Sequence, residues 1–217
     1  MVKPTRESDP TSIVILLGLK GAGKGVQAQF LESSGYKVVG IGNFLRAQRS
    51  KGLLPKECAR MMDENQLLPD HLIIPVVRAE LDALPAGSRI VLDGFPRNLA
   101  QGRMLTEAVS GLSRKRSGVS LRAIEIFVTD DVSRARRMKR RREDDQDEIA
   151  IEKAIAAYWR DISPLMRHLR NHCRLDQVDG MQDADAVAGK ISALLCCKRE
   201  KVLINAPAIA EAVASKA

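Results

Sequence analysis

Aromatic side chains are nearly missing from this 217-residue chain, Phe, Trp and Tyr together making up 3% of it. So thin a supply excludes the stacking platforms on which single-stranded nucleic acids are bound. It also leaves a core to be built from Leu, Ile, Val and Ala, as in sheets whose central strands are buried on both faces. Cysteine is scarce too. Cys58, Cys173, Cys196 and Cys197 form no C-x-x-C pair, and neighbouring cysteines are poorly placed for an ordinary disulfide, so neither a zinc site nor an oxidising compartment is indicated. Long hydrophobic runs are lacking as well: the apolar stretch at 13–17 is far too short for a signal h-region or a membrane span. The expectation is a soluble, cytoplasmic protein with no membrane partner.

What is there is a rhythm. With 45% hydrophobic residues the chain can bury one substantial core. Short apolar runs at 13–17, 36–39, 90–92, 124–128 and, more weakly, 174–178 read as strands. Helical patterns lie between them at 24–33, 98–110, 131–142, 147–170 and 183–197. Strands that alternate with helices predict an α/β fold, a parallel five-stranded sheet flanked by helices. Residues 41–84 interrupt the alternation with helical patterns alone and read as a helical insertion. A polar loop is expected at 113–120. Residues 11–197 are read as a single domain, preceded by an extension at 1–10 and followed by a tail at 198–217.

Gly18-Leu19-Lys20-Gly21-Ala22-Gly23-Lys24 fits G-x-x-x-x-G-K, straight after a strand and before a helix, where a phosphate-binding loop must sit. Its glycines let the backbone wrap an anion with N–H groups turned inward. The next helix adds its positive N-terminal end, and Lys24 a full charge. Lys24 is followed by Gly25 and Val26 rather than by Ser or Thr, so no hydroxyl from this loop can reach a metal ion or a phosphate.

A second motif, Asp93-Gly94-Phe95-Pro96-Arg97, follows the third strand at the carboxyl end, where open parallel sheets bind ligands. Any given pentapeptide arises by chance in on the order of one such chain in ten thousand, so the pairing of the two motifs is informative. Together they resemble the adenylate kinase family of nucleoside monophosphate kinases. Further matches follow in the family's order: Gly42-Asn43-Phe44-Leu45-Arg46, then Gln66-Leu67-Leu68-Pro69-Asp70, Gln101, Arg136 with Arg140, Arg142 before Asp144-Asp145, and Val178-Asp179-Gly180. The resemblance covers roughly residues 13–195.

That resemblance implies a P-loop NTPase fold with a monophosphate-binding insertion at 41–84 and a lid reduced to about 138–145. It implies ATP and a nucleoside monophosphate as substrates, AMP foremost, with Mg²⁺ as cofactor and a monomeric enzyme. Gly21, Ala22, Gly23, Lys24, Gly25 and Val26 would cradle the triphosphate with Arg136 and Arg140, and Gln182 would lie against the donor base. Arg46 and Arg97 would grip the acceptor phosphate. Ile41, Gln66, Leu67, Leu68, Gly94, Phe95, Pro96 and Gln101 would surround the acceptor nucleotide, and Asp93 would hold Mg²⁺ through water. Arg142 joins the catalytic set. The place of a further family arginine falls on Lys153 or Ala154, depending on alignment; Lys153 would keep the charge but not the bidentate fork.

Between Arg134 and Arg142 seven of nine residues are Arg or Lys, in a chain of net charge +8. Such density fits either a polyphosphate or a nucleic-acid face, the former being favoured. Arg136 and Arg140, four apart, share one helical face, which leaves Arg134, Arg137 and Arg141 in excess as expected surface residues. Gln101 points to AMP as acceptor. Ile41, where adenylate kinases commonly carry threonine, and Asn98, reminiscent of UMP/CMP kinases, keep a pyrimidine alternative open, beside a catalytically weakened nucleotide- or nucleic-acid-binding homologue.

Overall fold

The computed structural model describes residues 10–64, 66, 68–115, 118–140 and 147–196. Five strands, β1 (Thr11–Leu17), β2 (Lys37–Gly40), β3 (Arg89–Asp93), β4 (Val119–Phe127) and β5 (Arg174–Asp179), form one sheet in the order β2-β3-β1-β4-β5. All four pairings are parallel. Every strand therefore ends at the same edge of the sheet.

β1 lies at the centre because its residues are apolar in both directions. Ile13, Ile15 and Leu17 face one core and Val14 and Leu16 the other, as the two-residue repeat of a strand requires. Over the first face pack α4 (Asp70–Asp82) through Ile73, Val77 and Leu81, α5 (Leu99–Lys115) through Leu105, Val109 and Leu112, and the second half of α7 (Glu148–His172) through Leu165 and Leu169. The other face is covered by α1 (Lys24–Ser33), α8 (Ala184–Cys196) and the start of α7, whose Ile151 and Ile155 are buried there. Tyr158 and Trp159, between the two halves of α7, touch both cores, the packing role that aromatic residues of this size ordinarily take. Cys58 and Cys173 are buried packing residues and free thiols.

Residues 41–84 contain α2 (Ile41–Ser50), α3 (Lys56–Asp63) and α4 and no strand, as their helical patterns predict. The remaining helix is α6 (Asp130–Arg140). The region before β4 narrows the loop expected at 113–120, because α5 runs on to Lys115 and β4 begins at Val119. Its first half carries polar Ser120 and Arg122 yet pairs with β1 on one side, Ser12 opposite Ser120 and Val14 opposite Arg122. Arg122, which donates to the carbonyl of Leu194 on α8 at 2.5 Å, shows how a charged strand residue is accommodated there. No helix among the described residues is long and apolar enough to cross a membrane.

Close approach of two helices depends on Gly102 in α5. A Cβ there would lie 2.5 Å from Cδ1 of Leu165 in α7, whose side chain is fully buried. Gly102→Ala is expected to cost about 1–3 kcal/mol by overpacking, read as a lowered denaturation midpoint with an unchanged m-value.

Candidate active site

Where β1, β2 and β3 end, their register sets the site. Leu16 lies opposite Asp93, and Gly40 lies opposite Asp93 from the other side. The loop after β1, the start of α2 and the turn after β3 are thus brought to one place before any side chain is considered. A cleft of about 940 Å³ opens there, lined among others by Lys24, Arg46, Asp93, Arg97, Arg136 and Arg140.

The loop closes as its glycines demand. Gly18, Gly21 and Gly23 have φ of 139°, 86° and 97°, in the region that L side chains rarely adopt. At Gly18 a Cβ would in addition run into the carbonyl oxygen of Ile126. Gly23 caps α1 without a side-chain hydrogen bond, and the first turn holds no acidic residue. Its backbone N–H groups and the helix dipole together make an anion site. Val26 is 45% exposed on the cleft-facing first turn of α1 and offers no hydroxyl.

Lys24 reaches back beneath the loop, its Nζ donating to the carbonyls of Gly18 at 2.6 Å and Leu19 at 2.9 Å. Burial pushes its pKa down to about 8; Arg97, Lys20 and Arg140 push the same way, and Asp93 opposes them. The Asp93 carboxylate is close at hand, its Oδ2 3.9 Å from where a Cβ on Gly25 would stand. Arg97 folds over Gly94, Nε donating to the Gly94 carbonyl at 2.7 Å. The Phe95–Pro96 peptide bond in this turn is cis, and both residues are buried behind the cleft wall. Arg46 donates to Asn43 at 2.6 Å.

Helix α6 fastens the loop from the opposite side. Ser133 donates to the carbonyl of Lys20 at 2.7 Å. Arg136 donates through Nη1 to the carbonyls of Gly180 at 2.9 Å and Gly21 at 3.4 Å. Arg137 corrects the sequence reading: it is not a surface residue but 1% exposed, its Cγ 3.5 Å from the Cβ position of Gly21. Arg134 is held by Asp131 at 2.7 Å and Glu152 at 2.5 Å. Within the described part of the basic run, Arg136 and Arg137 support the loop, Arg134 is ion-paired, and Lys139 and Arg140 are exposed.

Of the residues singled out in the sequence, Gly21, Ala22, Gly23, Lys24, Gly25, Val26, Ile41, Arg46, Gln66, Leu68, Asp93, Gly94, Arg97, Gln101, Arg136, Arg140 and Gln182 all line the cleft. Lys153 does not. Ile151 and Ile155 are the buried positions of this part of α7, and two residues on from Ile151 the helix has turned Lys153 outward into solvent. Leu67, Arg142 and most of the expected lid lie outside the described residues. Sequence reasoning gave no role to Asp70, which accepts from Gln101 and Asn98, or to Ser133. Asp70 gave a usable signal, an acidic residue at a helix start; Ser133, one serine among many, gave none.

A family model for adenylate kinase matches residues 16–174. The chain belongs to the adenylate kinase family. Curated relatives agree along most of their length: the adenylate kinase of Synechococcus sp. (strain CC9311) is 32% identical over 184 residues, 84% of this chain and 97% of that one. That of Parvibaculum lavamentivorans is 32% identical over 198 residues, 87% of this chain and 94% of the relative, and that of Synechococcus sp. (strain RCC307) 34% identical over 184 residues, 84% and 97%. Membership in the adenylate kinase family makes the protein a nucleoside monophosphate kinase, a phosphotransferase whose acceptor is itself a phosphate, and accounts for one cleft that carries both a polyphosphate loop and a second arginine cluster.

The lowered pKa of Lys24 has a measurable consequence. In the free protein the ammonium loses its proton near pH 8, whereas a bound triphosphate would hold the proton on. Affinity for ATP should be full well below that pH and fall by up to about tenfold per unit above it, with proton uptake on binding in that window. Calorimetry in two buffers of different ionisation enthalpy reads this directly, and Lys24→Arg should flatten the profile.

Proposed function

We propose that the protein is an adenylate kinase in the narrow sense, a monomeric cytoplasmic enzyme that moves the terminal phosphoryl group of ATP reversibly onto AMP with Mg²⁺. The observation that carries this reading is the meeting of Lys24, Asp93 and Arg97 in one cleft at the ends of β1 and β3.

An acceptor phosphate needs no general base, since its second pKa is about 6. Its oxygen attacks the γ-phosphorus, the bond from that phosphorus to the β,γ-bridging oxygen breaks, and two nucleoside diphosphates result. What the protein must supply is alignment and positive charge. The Gly21–Val26 backbone, Lys24, Arg136 and Arg140 would hold the donor phosphates, with Gln182 near the donor base. Arg46 and Arg97 would hold the acceptor phosphate, and Ile41, Gln66, Leu68, Gly94 and Gln101 would border the acceptor nucleoside.

Mg²⁺ takes oxygen donors, and the Asp93 carboxylate stands in the cleft beside the first turn of α1. That ion dehydrates reluctantly and arrives on phosphate oxygens with most of its waters. Asp93, beside the first turn of α1, would hold one of those waters. Bound there, the ion would neutralise charge on the donor phosphates.

Incubation with ATP, Mg²⁺ and AMP, CMP, UMP or GMP in turn should yield diphosphate products, AMP being the best acceptor. Lys24→Ala and Arg97→Ala should each lower kcat/KM by about 10²–10⁴-fold at unchanged Tm; turnover retained by either would refute the site assignment. Val26→Thr, similar in volume and exposed, should leave Tm unaltered and lower KM for Mg·ATP about fivefold, the value of one hydrogen bond.

A further inference from the structure

The acceptor side of the cleft contains a hydrogen-bond circuit that the phosphate chemistry does not use. Gln101, 3% exposed at the start of α5, accepts through Oε1 from the backbone N–H of Arg97 at 2.7 Å. Its Nε2 donates to Oδ1 of Asp70 at 2.8 Å. Asp70, at the start of α4, also accepts from Nδ2 of Asn98 at 3.1 and 3.3 Å. The Asn98 Oδ1 in turn accepts from the backbone N–H of Gln101 at 2.9 Å.

Two of these partners have fixed polarity. A backbone N–H can only donate, and an ionised carboxylate can only accept. The amide of Gln101 thus has one permitted orientation, oxygen towards Arg97 and nitrogen towards Asp70, and turning it over would break both bonds and set like poles together. One amide hydrogen and one oxygen lone pair remain, in a residue that lines the cleft.

We propose that Asp70 is a positioning residue that locks the Gln101 amide and so makes the acceptor site select bases with an exocyclic amino group beside an unprotonated ring nitrogen over bases with an oxo group beside a ring N–H. The inference rests on the reading of Gln101 as the acceptor-base contact. A locked amide offers an N–H to the ring nitrogen and a lone pair to the amino group, the pattern of adenine. The 6-oxo purine presents the reverse pattern in the same shape, and against a fixed amide both bonds are lost. A freely turning glutamine would serve either base.

AMP and inosine monophosphate differ in that polarity and hardly at all in size, so their kcat/KM ratio is the readout. The intact protein should favour AMP by at least about 100-fold, because an unpaired polar group in a built site is strongly rejected. Asp70→Ala should lower that ratio by about tenfold or more, chiefly through KM for the monophosphate, with KM for ATP unchanged. Asp70→Asn, which keeps an acceptor but can itself turn over, should fall between the two. Equal losses with both nucleotides, leaving the ratio as it was, would make Asp70 a structural residue and overturn the proposal. An intact protein that phosphorylates AMP and inosine monophosphate alike would overturn it while sparing the kinase assignment. Absence of turnover with every monophosphate would defeat the functional reading itself and this proposal with it.

Discussion

Lys20, Lys24, Lys37, Arg46, Arg97, Arg136 and Arg140 all line one cleft, and the fold's central task is to hold these cations there against their mutual repulsion. Lys20, Lys24, Arg97 and Arg140 are near enough to act on one another electrostatically, and Arg136 lines the same space. Asp93 is the carboxylate that opposes them at Lys24. The depressed pKa of Lys24 records first the cost of burying its ammonium and only then the like charge of Arg97, Lys20 and Arg140 around it. A polyanion reverses the sign of that cost, so the same crowding that destabilises the free site becomes the source of its affinity.

Holding the charges apart is done by the backbone. Lys24 is satisfied by the carbonyls of its own loop, Arg136 by those of Gly21 and Gly180, and Arg97 by that of Gly94. Carbonyl oxygens carry partial charge and so can hold a guanidinium or ammonium in place without neutralising it, which a carboxylate partner would do. Carboxylates hold cations further out, Arg134 on α6 being paired with Asp131 and Glu152 and Lys37 with Glu80 at 2.6 Å. The buried Arg137 fills the space under Gly21, so the basic run divides by depth into support, lining and solvated residues.

Much of this was legible in the sequence because it is encoded locally. The strand of β1, the glycine loop and α1 follow one another within 23 residues, and the requirement for positive φ names the glycines outright. The alternation of apolar runs with helical patterns foretold the parallel sheet, and parallel strands end on one edge by geometry alone, which placed Asp93 and Arg97 beside the loop. What could not be read was non-local or disguised. The first half of β4 alternates Val119 and Leu121 with Ser120 and Arg122 rather than forming an apolar run, and it is held as a strand by its ladder to β1. Arg137 looked like its neighbours, since a helix of mostly basic residues has no periodicity from which burial can be inferred. Lys153 was placed by spacing from a motif, whereas its direction is set by the buried stripe of Ile151 and Ile155.

The two halves of the cleft differ in the kind of recognition they can perform. On the donor side, recognition would be by backbone N–H groups and diffuse positive charge, which read phosphate and say little about the base. Across the cleft, Gln101 is tied by two partners of opposite and invariant polarity, which on the proposed reading would fix the base that the acceptor site takes. Ordering a buried amide costs rotational freedom, and a site that merely needed to close around a nucleoside could do so with apolar contacts such as Ile41 and Leu68. Because the backbone N–H of Arg97 is one of the two ties, the residue that would grip the acceptor phosphate and the residue that would read the acceptor base are held by a single turn after β3. A monophosphate with the wrong base would then be misplaced at its phosphate as well.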